Sequence, residues 1–210
     1  MNKTAPPSRE SSTYIDGIVL AAGRSQRMGR PKALLPIDDE TFVERAIVVL
    51  RDGGCRGVVA VVGRDDPEAA RRAEAAGAKV VASGDPDAPQ ADSLRLGLAA
   101  IGEDAAAAVV LPVDHPLVQA TTVLALIREF RARGGAPAAI RPVYCGVTGH
   151  PTLFGRRIFA ELAAPDLPEG ARSVLAAHTD AVVDLPVEDG GVTADIDTPD
   201  DYRRLVGGSC

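Results

Sequence analysis

The sequence predicts an α/β protein with a doubly wound layer: a mostly parallel central sheet with helices on both faces. Two observations predict it. Short apolar runs rich in β-branched residues alternate with amphipathic helical patterns along the first two thirds of the chain. Those runs are also continuously apolar, without the in–out alternation of a half-exposed strand, so they are buried on both faces. Strands of that kind separated by helices build a parallel sheet.

The elements follow in order. Ile15 to Ala22 is a strand, and Phe42 to Arg51 (FVERAIVVLR) is a helix with Thr41 as its cap. Gly57 to Gly63 (GVVAVVG) is a buried strand, followed by a helix over Pro67 to Ala76, a short strand at Lys79 to Ala82 and a helix near Ala91 to Ile101. A strand at Ala106 to Val113 and a helix at Thr121 to Arg133 complete the regular part. Beyond it the pattern loosens. Ala138 to Tyr144, Val147 to Phe154 and Ala181 to Val187 read as strands, one of which can run antiparallel. Arg156 to Ala163, Ala171 to His178 and Asp201 to Val206 read as helices. No repeat or linker divides the chain, so residues 1–13 are expected to be a disordered tail and residues 14–210 a single domain.

Composition narrows the function. The chain has 210 residues, 46% hydrophobic and 25% charged, which is ordinary for a soluble globular protein. A formal charge of -6 and only 3% aromatic residues argue against a nucleic-acid partner, because neither a basic face nor a stacking platform is available. Cys55, Cys145 and Cys210 are far apart and form no metal or disulfide pattern, which points to reduced thiols. The N-terminus has no apolar segment of a secretory signal, and no apolar stretch reaches the roughly 18 residues of a membrane span. A cytoplasmic protein with no membrane partner is expected.

Against that acidic background, residues 20–32 read LAAGRSQRMGRPK, with Arg24, Arg27, Arg30 and Lys32 in a stretch that contains no acid. In doubly wound sheets ligands bind beyond the carboxyl ends of the strands, and Leu20-Ala21-Ala22-Gly23 is such an end. Small residues there let a ligand approach the main chain, and successive N–H groups in a turning loop make an anion-binding concavity. The four cations would neutralise a polyphosphate, with Lys32 the strongest single candidate as a flexible point charge. The spacing is neither the Walker pattern nor the dinucleotide G-x-G-x-x-G.

Two acidic sites lie downstream. Asp114 arrives at the end of an apolar strand, before His115-Pro116; Asp195-Ile196-Asp197 precedes Thr198-Pro199. In an extended segment Asp195 and Asp197 face the same side. Asp114 and Asp197 would suit Mg²⁺, a hard cation that takes one or two carboxylates plus substrate phosphates, if the sheet brings them together. Each also has a simpler reading: a helix cap at Asp114, and a turn or cap at Asp197. Gln90 and Ser93 stand where a loop enters the third helix and are candidates to hydrogen-bond a ligand, with capping the simpler role for Ser93. His178 reads as structural; His115 and His150 stay open.

These residues resemble the signature pieces of the MobA-like nucleotidyltransferases, and among those the molybdenum cofactor cytidylyltransferase branch. The pieces are the loop LAAGRSQRMGRPKALLP, DSLRLGL at 92–98, VDHP at 113–116, TGHPTLF at 148–154, GARSVL at 170–175 and DIDTPDDY at 195–202, in the family's order. The resemblance implies a Rossmann-like nucleotidyltransferase fold that moves a nucleoside monophosphate from an NTP to a phosphorylated acceptor and releases pyrophosphate. It implies that Leu20 to Gly23, Gln90 and Ser93 lie at the nucleotide, that Arg24 and Lys32 face the triphosphate, and that Asp114 and Asp197 hold Mg²⁺. It puts His115, Gly149, His150 and Arg172 on the acceptor side. Ala22, where the guanylyl branch has Gly, favours CTP, and molybdopterin is then the expected acceptor, with a molybdoenzyme or its chaperone as a downstream partner. Where the family commonly has Gly-Asp-Met-Pro this chain has Val113-Asp114-His115-Pro116, which leaves a sugar or polyol phosphate open as acceptor. A non-catalytic nucleotide-binding or cofactor-delivery protein is the other alternative.

Overall fold

The structure, a computed structural model, describes residues 14–23, 25–85, 88–165, 167 and 169–207, with the backbone alone for Gln26. The expected tail (residues 1–13), Arg24 and Cys210 lie outside the described residues.

The first apolar run forms β1 (Ile15–Ala21), buried along its whole length. A two-stranded hairpin follows, β2 (Pro36–Ile37) with β3 (Glu40–Thr41), and then α1 (Phe42–Asp52). At the start of α1 the Glu44 carboxylate accepts from the Thr41 N–H at 2.8 Å and from its hydroxyl at 2.6 Å. Burial pushes the Glu44 carboxyl up, but the hydrogen bonds from Thr41 and Arg72 outweigh it and leave it below its ordinary value. Glu44→Gln is therefore expected to cost about 1 kcal/mol at neutral pH. That stabilisation is fully present above about pH 4.3 and fades as pH falls through the lowered native value, so urea midpoints of variant and parent should converge in acid.

The next elements are β4 (Val58–Gly63), α2 (Pro67–Ala75), β5 (Lys79–Ser83), α3 (Gln90–Ala100), β6 (Ala107–Pro112) and α4 (Ala120–Ala132). The less regular part supplies β7 (Ala139–Tyr144), β8 (Val147–Thr148), β9 (Thr152–Gly155), α5 (Phe159–Leu162), α6 (Ala171–Ala177), β10 (Val182–Pro186) and α7 (Pro199–Val206). The sheet order is β10-β7-β9-β6-β1-β4-β5, with β8 paired to β7. β1 is parallel to both β4 and β6, β4 to β5, and β10 to β7; β9 is antiparallel to both neighbours.

Alternate residues of β1 serve opposite faces. Ile15, Val19 and Ala21 join the core under α1, α2, α4 and α7, whereas Ile18 and Leu20 pack with Leu94 of α3, Leu162 of α5 and Val174 of α6. Because β1, β4, β5 and β6 are parallel, their carboxyl ends share one edge, and the loops after them converge there.

Two sequence expectations are corrected. The run Val147 to Phe154 is two strands, because Pro151 has no N–H to continue a ladder and Gly149-His150 turn the chain. The helix expected at Arg156 to Ala163 is a 3₁₀ turn over Arg156–Ile158 followed by the single α turn of α5.

Candidate active site

The loop after β1 is built around Ser25. Its carbonyl accepts from the N–H groups of Met28 and Gly29 at 2.9 and 3.2 Å, and its hydroxyl accepts from the Lys32 N–H at 2.9 Å. Ser25 and Gly29 carry positive φ of 52° and 73°, which lets the chain double back. Met28, Ala33 and Leu35 are sunk in the core and anchor the loop. Three of its amides are thus committed to Ser25 rather than turned toward an anion. Space remains over Gly23, where an added Cβ would meet nothing within 4 Å.

The loop roofs a cavity of about 490 Å³. Leu20, Ala21, Ala22 and Gly23 form its floor at the end of β1; Ser25, Arg27 and Lys32 line the loop side. Asp66, Asp85, Gln90 and Ser93 close another wall, and Asp114 and Asp197 complete it. Gln90 opens α3, and Ser93 is buried in its first turn, where Pro89 rather than Ser93 is the cap. The expectation of four cations is corrected in part. Arg30 stands over the Tyr202 ring at 6.0 Å instead of lining the cavity.

The two distant acids meet. Lys32, its side chain only 11% exposed, donates through its ammonium to Asp197 Oδ1 and to Asp114 Oδ2, the latter at 3.4 Å. Arg27 donates to the other Asp197 oxygen at 2.6 Å. What brings them together is the docking of the last helix. Tyr202 of α7 donates to the Pro36 carbonyl at 2.6 Å, Ile196 is fully buried, and the Ile196 N–H bonds the Asp114 carbonyl at 2.8 Å. Neither acid is a cap, since Gln119 and Thr198 occupy those positions for α4 and α7. Asp195 takes no part in this cluster, because it is exposed and only Asp197 lines the cavity. Burial raises the Asp197 carboxyl, yet Lys32 and Arg27 outweigh it and hold it below its ordinary value.

A second cavity, of about 770 Å³, adjoins the first, sharing Leu20, Gln90 and Pro112 with it. Gly149, His150 and Arg172 line it, as do Arg141 and an apolar wall that includes Leu94, Phe154 and Leu175. His115 lines neither cavity. It lies behind Asp114 with its ring 4.8 Å from that of His150, edge to face, so the direct acceptor contact expected of it is corrected to a supporting position. Burial pushes the His115 imidazole down; burial and then the neighbouring His115 push His150 down to about 4. Asp114 Oδ1 and His115 Nδ1 are buried 3.4 Å from each other without forming a hydrogen bond, and His150 Nδ1 is buried without a hydrogen-bond partner among the described residues. Asp114, through Oδ2, and Asp197, through Oδ1, share the Lys32 ammonium on the wall of the first cavity, and two such neighbouring carboxylates are a donor set a hard divalent cation takes, so the residues present fit one. His178 pairs with Glu161 at 2.8 Å, away from both cavities.

Ser25, Asp66, Asp85 and Arg141 also line the cavities, and the sequence does not single them out. Ser25 stands inside the basic loop; the others carry no signal beyond ordinary loop and strand polarity.

A sheet whose parallel carboxyl ends carry a small-residue loop, a lysine and two converging aspartates defines a nucleotide-binding α/β enzyme frame. The chain belongs to the MobA-like NTP transferase domain family, whose pattern matches residues 17–182. It is 30% identical to the nicotine blue oxidoreductase of Paenarthrobacter nicotinovorans over 197 residues, 91% of this chain and 96% of that protein. It is also 30% identical to a probable molybdenum cofactor guanylyltransferase of Opitutus terrae over 205 residues, 92% of this chain and 96% of that one. Among solved structures, Rv0371c from Mycobacterium tuberculosis H37Rv superposes with a TM-score of 0.80 at 34% identity, covering 93% of this chain and all 100% of that one. The same protein has been solved in complex with manganese, with a TM-score of 0.76 to this chain. No helix among the described residues is long and apolar enough to cross a membrane.

Proposed function

We propose that residues 14–210 act as one nucleotidyltransferase domain that moves CMP from CTP onto the phosphate of molybdopterin and releases pyrophosphate. The observation that carries this reading is the convergence of Lys32, Asp114 and Asp197 in the cavity beside the small-residue loop. The adjoining second cavity, with Gly149, His150 and Arg172, is the right neighbour for an acceptor.

In the reaction an acceptor phosphate oxygen attacks the α-phosphorus in line, and the bond to the β-phosphate breaks. Such chemistry needs positioning and charge stabilisation rather than a protein nucleophile. The main chain at Ala21 to Gly23 gives the nucleotide close access, and Lys32 and Arg24 offset charge on the triphosphate. Asp114 and Asp197 would hold a divalent cation, Mg²⁺ by preference, which when bound supplies Lewis-acid charge neutralisation. The manganese complex of Rv0371c supports a divalent ion in this fold. Ala22 favours CTP, whereas the relative in Opitutus terrae bears a guanylyltransferase name. Pyrophosphate release measured with each NTP, MgCl₂ and molybdopterin tests the reading: CTP should exceed GTP, and no release with any NTP and any phosphorylated acceptor would refute it. Lys32→Ala is expected to lower turnover with the fold kept, since one charge-assisted phosphate contact contributes about 1.5–3 kcal/mol.

The relative named nicotine blue oxidoreductase favours a second reading, a nucleotide-dependent oxidoreductase on the same frame. Consumption of a reduced nicotinamide nucleotide without pyrophosphate release would establish it instead. Delivery of the product to a molybdoenzyme or its chaperone belongs to the first reading.

A further inference from the structure

The acidic wall of the first cavity is already electrically satisfied. Asp114 and Asp197 bring two negative charges; Lys32 and Arg27 bring two positive ones, and both cations are in contact with the carboxylates. Asp197 is held at both oxygens, Oδ1 by Lys32 and Oδ2 by Arg27. A bare divalent cation approaching this cluster meets a local sum of zero. To reach the carboxylates it must displace a lysine that is 11% exposed and whose ammonium bonds only these two acids among the described residues. Breaking such a partly buried pair leaves an ammonium uncompensated, which is costly.

We infer that Lys32, aided by Arg27, stands in for the metal, so that the carboxylate pair rejects a free divalent cation and accepts one only with a polyphosphate. The polyphosphate oxygens give both side chains a new partner as they leave Asp114 and Asp197, and the vacated carboxylates become ligands. Arg27 is suited to the exchange because its side chain is 70% exposed and anchored only at Asp197 among the described residues. Loading is thereby ordered: the cation enters with the nucleotide's phosphates, and the cavity does not fill with an ion that would have to be expelled. The inference rests on the proposed assignment of Asp114 and Asp197 as the cation's ligands.

The test uses Mn²⁺ alone, with neither nucleotide nor acceptor, titrated into the full chain and followed by electron paramagnetic resonance. The parent protein is expected to bind Mn²⁺ at least tenfold more weakly than Lys32→Met, and Arg27→Gln is expected to fall between them. Adding Asp114→Asn to Lys32→Met should return binding to the weak level, which assigns the gain to this pair. Equal affinity of the parent and both single variants, or tighter binding by the parent, overturns the inference. Arg27 is exposed, so its variant keeps the test decisive if Lys32→Met fails to fold. Because no turnover is read, a failed transferase assay leaves this result standing, and a failed Mn²⁺ titration leaves the transferase assay to be judged separately.

Discussion

Asp114→Asn is expected to lower pyrophosphate release by about 10²–10³-fold, the size of effect seen when one preorganised charge-stabilising group is lost from a reacting centre. The change is nearly isosteric, so it removes charge without removing volume. Its structural cost should be small, because the Asp114 side chain caps no helix and the contact that ties this segment to α7 uses the Asp114 carbonyl, 2.8 Å from the Ile196 N–H. What is lost is one of the two carboxylates that share Lys32 on the wall of the cavity. Asp195→Asn, two residues from Asp197 but exposed and outside the cavity, should change turnover little. Pyrophosphate release at saturating CTP, with circular dichroism as the folding control, separates the two variants; equal rates in both would remove Asp114 from its role.

The second large effect is expected on the acceptor side. An added Cβ at Gly149 would lie 2.1 Å from the Val192 carbonyl oxygen and 2.6 Å from its carbon, both backbone atoms. They cannot swing aside, because the His150 N–H donates to that same oxygen at 2.8 Å and Val192 is fully buried. On the far side Gly191 is equally constrained, with a virtual Cβ 2.2 Å from the Leu117 carbonyl. Gly149→Ala must therefore part the segment carrying His150 from the turn at Val192, with a loss of about 1–3 kcal/mol. Urea unfolding should show the lowered midpoint. Kinetically, the KM for the acceptor should rise while that for CTP holds, since the first cavity does not include Gly149. A variant with parental stability and acceptor KM would contradict this role.

Much of the frame is legible in the sequence because its signals are local. β1 is an unbroken apolar run ended by small residues, and α1 announces itself through Thr41 and Glu44 three apart before an amphipathic stretch. The antiparallel insertion of β9 between β6 and β7 is not, because the four buried residues Thr152–Gly155 carry no mark of strand direction. In the site, Lys32, Asp114 and Asp197 can each be nominated from a loop or a strand end. Their meeting cannot, since Lys32 and Asp197 are separated by 165 positions and are brought together by the docking of Tyr202 and Ile196. The fate of Arg30 is equally hidden: its neighbour Tyr202 comes from the far end of the chain. The edge-to-face pair of His115 and His150 likewise depends on tertiary packing between two loops that periodicity does not register.

The most direct measurement is a crystal grown with CTP and Mn²⁺ and inspected for the anomalous signal of the metal. The account predicts one manganese peak between the carboxylates of Asp114 and Asp197, with Lys32 moved onto the phosphates and the cytosine in the cavity beside Ala22. Manganese bound elsewhere, with Lys32 still bridging the two aspartates beneath an ordered triphosphate, would contradict it.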